Sequence, residues 1–445
     1  MPITKIQALF SAGTKAVSLI AVVLLAACGD TQPSQQNPNK AEPEISLTTP
    51  AKGAVTSGEY RNLFSEIGKS PEAIQRKLTA SYQHLFGGDP ETEAIYYPAG
   101  ENSYGALAYI YDVNSQDVRS EGMSYGMMIT VQMDKKAEFD AIWNWSKTYM
   151  YHDSPEHPAH GYFAWSVKPN GEAIDEMPAP DGEEYFATAL YFAAARWGNG
   201  EGIYNYRAEA DQILTDMRHR GVVTGDTNRG VMTGGNLFHP EHAIVRFTPD
   251  INNADHTDAS YHLPAFYEVW ALVAPEQDRA FWAKAARVSR NYFDKAAHPE
   301  TGLTPDYGEY DGSPWAAPWR KESVDFRYDA WRTVMNWSMD WSWWAKDTNA
   351  AARSDRLLAF FESEGDDLNH LYSLSGERLG GEATLGLIAM NATAGLSASH
   401  PRWKAFVEQL WENAPPTGQY RYYDGVLYMM ALLHCAGEYR AWIPE

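Results

Sequence analysis

Cysteine is scarce: there are two in a chain of 445 residues. That is too few for a disulfide framework, so stability has to come from the core, for which the length is ample. Cys435 lies in the apolar stretch "YMMALLHCAGEY" and reads as a buried core thiol. Positive charge is also short, with 36 Lys and Arg against 58 Asp and Glu and a formal charge of -22. Without a basic surplus to neutralise phosphates, nucleic acid is excluded as a partner, and a strongly anionic substrate is disfavoured. No Gly-x-Ser-x-Gly elbow, phosphate-cradling glycine loop or His-Glu-x-x-His occurs, which removes the corresponding hydrolase, nucleotide and zinc templates. His239-Pro-Glu-His242 and the trio His256, Asp258 and His262 do not make a metal site. Proline breaks helical spacing in the first, and no oxygen or sulfur ligand set is apparent. No metal or other cofactor is expected.

Aromatic rings, by contrast, are abundant: 16 Trp and 27 Tyr. They can build a large core, or pave a cleft whose flat, weakly hydrated surfaces stack on the apolar faces of sugars. The first 28 residues stand apart from the fold. Lys5 and Lys15 precede the apolar run "AVSLIAVVLLAAC", which is short for a membrane span and has the layout of a signal peptide. It ends in Leu25-Ala26-Ala27-Cys28, which resembles a bacterial lipobox and implies lipid on the Cys28 sulfur. Export with an anchor follows, in the outer membrane or periplasm of a diderm bacterium. Residues 29–56 are rich in Pro, Ser, Thr, Asn and Gln and read as a tether, leaving 57–445 as one folded domain.

Within that domain the helical period dominates. Stretches such as "EFDAIWNWSKTYMY", "EEYFATALYFAAARW", "DRAFWAKAARVSRNYFDKAA" and "DGVLYMMALLHCAG" carry apolar residues at i, i+3, i+4 and i+7. Gly, Pro or Asn punctuates the joins, and about a dozen helices are expected in all. Strand-like alternation is confined to "GVVTG" and "AIVRF". Several helices are apolar nearly all round, "MSYGMMITVQM" above all, and belong inside a ring of others. Two concentric helical layers meet that need.

Glu121, Asp181, Asp258 and Asp329 share one setting, each just ahead of an apolar helix. Acids at corresponding ends of inner helices converge on one rim. Capping is the plain alternative: Asp181 with Glu184 spells a capping box, and Asp258 and Asp329 are acceptable N-caps. Glu121 fits capping worst, because Glu caps poorly and bulky apolar residues follow it. Desolvation there raises its pKa, so that it holds its proton near neutral pH and can act as a general acid.

Together, "VRSEGMSYGMM", "APDGEEYFATALYFAAARW", "DASYHLPAFYEVWA", "HPETGLTPDYGEYDG" and "RYYDGVLYMMALL" give the chain from about Tyr60 onward a resemblance to glycoside hydrolase family 8. The resemblance implies an all-α (α/α)6 barrel that hydrolyses β-1,4-linked glycans with inversion at the anomeric carbon. It implies Glu121 as general acid, Asp329 of "RYDAWR" as general base, and Asp181 as the residue that grips and distorts the sugar at the cleavage point. Tyr261 and Arg332 match positions that help hold the base and its water, with Asp258 in the same neighbourhood. Trp165 in "GYFAW" matches an aromatic stacking position. Where the family signature reads Ala-Ser/Thr-Asp-Ala/Gly-Asp, this chain has Ala179-Pro180-Asp181-Gly182-Glu183. That form looks like the branch acting on xylan and xylo-oligosaccharides, and the whole-length match is to enzymes releasing xylose from the reducing end. The segment "RLGGEATLGLIAMN", placed to close one end of the cleft, differs, which keeps an endo-1,4-β-xylanase, and beyond it an endoglucanase, as alternatives. A non-catalytic glycan-binding lipoprotein would also use the anchor and the rings, but has no need of Glu121.

Overall fold

Among the described residues, twelve helices of nine or more residues alternate between a buried and a half-buried character. The computed structural model describes residues 52–365, 368–381 and 384–444. The signal peptide, Cys28 and the tether as far as residue 51 lie outside the described residues. The helices are α1 (Pro71–Gly87), α2 (Ser120–Gln132), α3 (Lys136–Tyr149), α4 (Pro180–Trp197), α5 (Tyr206–His219) and α6 (Pro264–Val273). They continue as α7 (Arg279–Ala296), α8 (Thr333–Trp344), α9 (Ala350–Glu364), α10 (Leu385–Thr393), α11 (Trp403–Glu412) and α12 (Arg421–Cys435).

The even-numbered helices form the inner ring. Each packs on the next, and α12 closes back onto α2. Every residue from Gly122 to Gln132 in α2, and from Pro180 to Ala193 in α4, is buried, as expected of helices apolar on all sides. Each odd-numbered helix from α3 to α11 lies outside the inner helix it follows, and α1 covers α12. These outer helices are amphipathic: α7 buries Trp282, Ala285, Ala286, Ser289 and Phe293 at helical spacing, with Arg290, Tyr292 and Ala296 beside them, and exposes Lys284, Arg287, Asn291, Asp294 and Lys295 on the other side. The result is the (α/α)6 barrel. Local signals set its boundaries. Ser70 accepts the Ala73 N–H to cap α1, and Pro71, Pro180 and Pro264 open their helices at positions where a missing N–H costs nothing.

Nine short strands decorate the barrel. β1 (Tyr96–Asn102) pairs with β2 (Gly105–Ile110), and β3 (Val118–Arg119), β4 (Ser166–Val167) and β5 (Ala173–Asp175) form a second antiparallel sheet. β6 (Val223–Thr227) pairs with β7 (Gly230–Gly234), and β8 (His256–Asp258) with β9 (Tyr307–Glu309). β3 runs straight into α2, and β8 leads through the turn Ala259–Tyr261 toward α6. The sheets thus brace the starts of inner helices.

Two expectations change. "GVVTG" contributes to β6, but among the described residues "AIVRF" forms no strand: it holds a single bridge, Phe238 to Val245, and a backbone bond from Phe247 N–H to His256 O. Residues 54–57, partly assigned to the tether, form a helical turn packed on α8, and a Cβ on Gly53 would meet the Trp343 carbonyl oxygen at 2.2 Å. The folded domain therefore starts a few residues earlier than composition suggests. Cys435 is a free, fully buried thiol as expected.

Candidate active site

The four acids singled out above meet at the rim formed by the starts of the inner helices. Glu121 is in the first turn of α2 and Asp181 in the first turn of α4. Asp258 precedes the turn Ala259–Tyr261 ahead of α6, and Asp329 lies in the turn Tyr328–Arg332 that runs into α8. Two glycines allow the close approach. A Cβ on Gly182 would meet the Ser120 hydroxyl at 2.6 Å, and one on Gly122 would meet the Tyr422 hydroxyl at 2.5 Å.

Arg332 ties the site together. Its Nη1 donates to Glu121 Oε2 at 3.0 Å, to Asp181 Oδ2 at 2.7 Å, and to the Tyr125 hydroxyl. Its Nη2 donates to Asp329 Oδ1 and to Ser260 Oγ, each at 2.9 Å. The Arg332 and Asp181 side chains are 2% and 3% exposed, whereas Asp329 is 27% exposed and open to water. One guanidinium therefore serves three carboxyls, and charge balance favours keeping one of them neutral. Burial pushes Glu121 up to about 7, Arg332 pulling it back and Asp181 and Asp329 adding repulsion. Burial also raises Asp181, and raises Asp258 well above the usual carboxylate range. The other Glu121 oxygen, Oε1, accepts the Tyr422 hydroxyl at 3.1 Å.

Capping accounts for one of the four acids. Asp258 Oδ1 accepts the Ser260 N–H and hydroxyl, both at 2.7 Å; it is fully buried and reaches the base only through Ser260 and Arg332. The expected capping box at Asp181 does not form. The cap position is Ala179, Asp181 Oδ1 takes the neighbouring Gly182 N–H, and Glu184 turns away to accept the Tyr267 hydroxyl at 2.6 Å. Asp329 is likewise inside its turn and spent on Arg332, not on a cap. Tyr261 lines the cleft with its ring nearly parallel to Phe247, and among the described residues no hydrogen bond from its hydroxyl to Asp329 is formed.

The cleft has two halves that share Arg119, Glu121, Arg320 and Asp329. One, of 530 Å³, is walled by Trp165, Asp181, Tyr261 and Trp319. The other, of 640 Å³, runs over Trp331, His370, Tyr422 and the exposed rings of Tyr328 and Tyr420. Trp165 sits under the Arg119 guanidinium, 5.7 Å from its ring centre. The altered segment folds back beside this second half: Leu379 N–H donates to Leu371 O, and His370 N–H to Gly381 O. Residues 382 and 383 lie outside the described residues. Glu121 and Asp329 thus flank one point of a continuous groove, bridged by opposite nitrogens of Arg332. A protonated carboxyl on one side and a water-exposed carboxylate on the other can donate and accept a proton across a bound glycosidic bond.

The histidines weighed as ligands have other uses. His262 is locked between Thr257 and Ser289, and His239 Nδ1 accepts the Glu241 and His242 N–H groups. Sequence reasoning did not single out Tyr422, Arg119, Arg320 or Asp306. Tyr422 stood inside the quoted "RYYDG", but its partner is 301 positions away, a contact that no periodicity reports.

Comparisons with known proteins agree with this geometry. The family model "Glycosyl hydrolases family 8" matches residues 110–437. The reducing-end xylose-releasing exo-oligoxylanase Rex8A of Paenibacillus barcinonensis is 42% identical, over 88% of this chain and 99% of its own length. A crystal structure of a GH8 xylobiose complex from Teredinibacter turnerae is 75% identical, with TM-score 0.88, covering 88% of this chain and 100% of that one. A catalytic-mutant xylohexaose complex of a xylanase from the same organism matches equally well. The two shared halves of the groove, the acids at its centre and the twelve-helix ring around it are those of a glycoside hydrolase, and the chain belongs to glycosyl hydrolase family 8.

Proposed function

We propose that this enzyme hydrolyses β-1,4-xylosidic bonds in xylo-oligosaccharides with inversion, releasing xylose from the reducing end. Glu121 is the general acid, Asp329 the general base, and Asp181 the residue that grips the sugar at the cleavage point. The observation that carries the reading is the shared guanidinium of Arg332, which leaves buried Glu121 protonated while Asp329 stays accessible to water. In turnover, the Glu121 proton passes to the glycosidic oxygen as its bond to the anomeric carbon breaks. A water in the gap loses its proton to Asp329 and attacks that carbon from the opposite face. Solvent then removes the proton from Asp329 and restores the one on Glu121. Inverting pairs keep their carboxyls roughly 6.5–9.5 Å apart to leave room for the water, and Arg332 standing between these two supports such a gap. The exo-oligoxylanase relatives at 42% and 41% identity support the direction of attack.

A second reading, endo-1,4-β-xylanase, is supported by the groove continuing past Tyr328 and Tyr420 and by the xylohexaose complex of the 75% identical xylanase. One experiment tests both. NMR in the first minutes of xylotriose hydrolysis should show the α-anomer at the new reducing end, and a β-anomer would rule out the inverting pair. Reduced, alditol-ended xylotriose should remain intact under the exo reading. Rapid cutting of polymeric xylan into mixed oligomers would establish the endo reading in its place.

The anchor is part of the proposal. "LLAAC" followed by Gly29 in place of Asp supports lipidation at Cys28 and retention at the outer membrane. Cys28→Ser should move the enzyme to the soluble fraction; unchanged sedimentation with membranes would remove Cys28 from this role.

A further inference from the structure

Asp306 is fully buried and belongs to none of the roles assigned so far. Its backbone N–H donates to Asp325 O at 3.0 Å, and its carbonyl oxygen accepts the Ala259 N–H at 3.4 Å. It is thereby fixed between the turn that follows Asp258 and the segment ahead of Asp329. Its side chain points two ways. Oδ1 accepts the N–H of Ala330, the residue directly after Asp329, at 3.3 Å, and Oδ2 stands 3.0 Å from Arg320 Nη2.

Arg320 is one of the four residues that line both halves of the groove. Arg119, across from it, is occupied by Asp112, Asp117 and Ser115. Among the described residues the Arg320 side chain donates to Tyr307, through Nη1 at 3.2 Å, besides its ion pair with Asp306, and it is 29% exposed. A guanidinium carries five N–H donors in a planar fork, so donors remain on the side facing the groove. Neutral sugars offer hydroxyl oxygens that accept such hydrogen bonds.

We propose that Arg320 is a substrate-binding residue that hydrogen-bonds sugar hydroxyls on both sides of the scissile bond. Asp306 is its positioning residue, setting Arg320 and the turn that carries Asp329 in one frame. The choice of substrate rests on the xylo-oligosaccharide reading; the roles of the two residues do not. A buried carboxylate needs its paired cation, and here that need keeps a long, flexible arginine extended across the groove before substrate arrives. Preorganisation of this kind lowers the cost of ordering the side chain on binding.

The test is steady-state kinetics on xylotriose for Arg320→Met, Asp306→Asn and the double variant, with melting temperatures alongside. Arg320→Met should raise KM about tenfold and change kcat much less, as for loss of hydrogen bonds to bound hydroxyls. Asp306→Asn keeps an acceptor for Ala330 and removes the charge that fixes Arg320, so KM should rise in the same direction. The double variant should have the KM of Arg320→Met, since Asp306 then has nothing to position. Additive KM effects, or an unchanged KM in Arg320→Met, would overturn the proposal. If Asp306→Asn does not fold, Arg320→Lys decides: it keeps the charge for Asp306 but lacks the fork, and a wild-type KM there would sink the role. Wild-type enzyme inactive on xylotriose would fault the substrate reading alone, and the same cycle would then be run on the β-glycan it does cleave.

Discussion

Glu121→Gln should lower turnover by about 10³-fold or more while the protein still binds its substrate, because one acid group typically contributes ~10²–10⁴-fold and an unprotonated sugar alkoxide leaves poorly. Asp329→Asn should do the same by removing the base. Circular dichroism and melting curves establish that each variant is folded, and near-normal turnover in either would strike that residue from its role. The wild-type enzyme should lose activity as pH rises past about 7, where Glu121 gives up its proton. Stability follows the same group. The unfolded carboxyl ionises above about 4.3, while the folded one holds its proton to about 7. Folding therefore takes up a proton in this window, and the stability conferred by the raised pKa is lost as pH rises through it. Glutamine cannot ionise. The melting temperature of Glu121→Gln relative to wild type should therefore climb between those limits and level off above them; a constant difference would mean that Glu121 is ionised in the folded protein throughout.

Arg332→Met should cost still more in stability. It removes the cation bonded to Glu121, Asp181 and Asp329 together, and an uncompensated buried charge typically costs about 3–5 kcal/mol. The loss should be largest near pH 8 and smallest near pH 4, where protonation neutralises the acids that Arg332 had balanced. Turnover should fall with it, since Asp181 and Asp329 lose the fork that aims them. Arg332→Lys restores the charge but holds one carboxyl at a time, so it should recover stability more than activity. Thermal denaturation across that pH range, paired with kinetics on the Lys variant, separates the two effects. A loss for Arg332→Met that does not vary with pH would show the residue to be mere packing.

The ring of helices was legible because its two layers differ in composition. α2 and α12 are apolar all round and α7 on one stripe, which is the pattern of an inner and an outer layer. Glu121 was legible for a related reason: a poor capping residue ahead of an apolar helix needs another purpose. Asp181 was placed on the rim where the acids converge, and the structure has it there; the capping box offered as its alternative does not form, since local spacing cannot show that Arg332, 151 positions away, takes its free oxygen. Asp306 stood inside the quoted "HPETGLTPDYGEYDG" without being singled out. "TPDYG" looks like an ordinary turn, and its importance comes from Arg320 and Ala330 arriving beside it in three dimensions. "GVVTG" was read as strand-like and contributes to β6, whereas β3, β4, β5, β8 and β9 were missed because two- and three-residue strands carry no alternation to read.

The inner ring closes where α12 meets α2, and α1, made first, has α12 as its inner neighbour. Arg421, at the start of α12, donates to the carbonyl oxygens of Pro90 and Ala94, more than 300 positions upstream. Tyr422, beside it, supplies the hydroxyl that Glu121 accepts. A nascent chain emerging at about 5–20 residues per second therefore carries its acid, its base and most of its barrel well before it can use them. Until the last inner helix is in place, α1 lacks its inner neighbour, one side of α2 is uncovered, and Glu121 lacks the Tyr422 hydroxyl, so the acid's surroundings are completed only by the C-terminal helix.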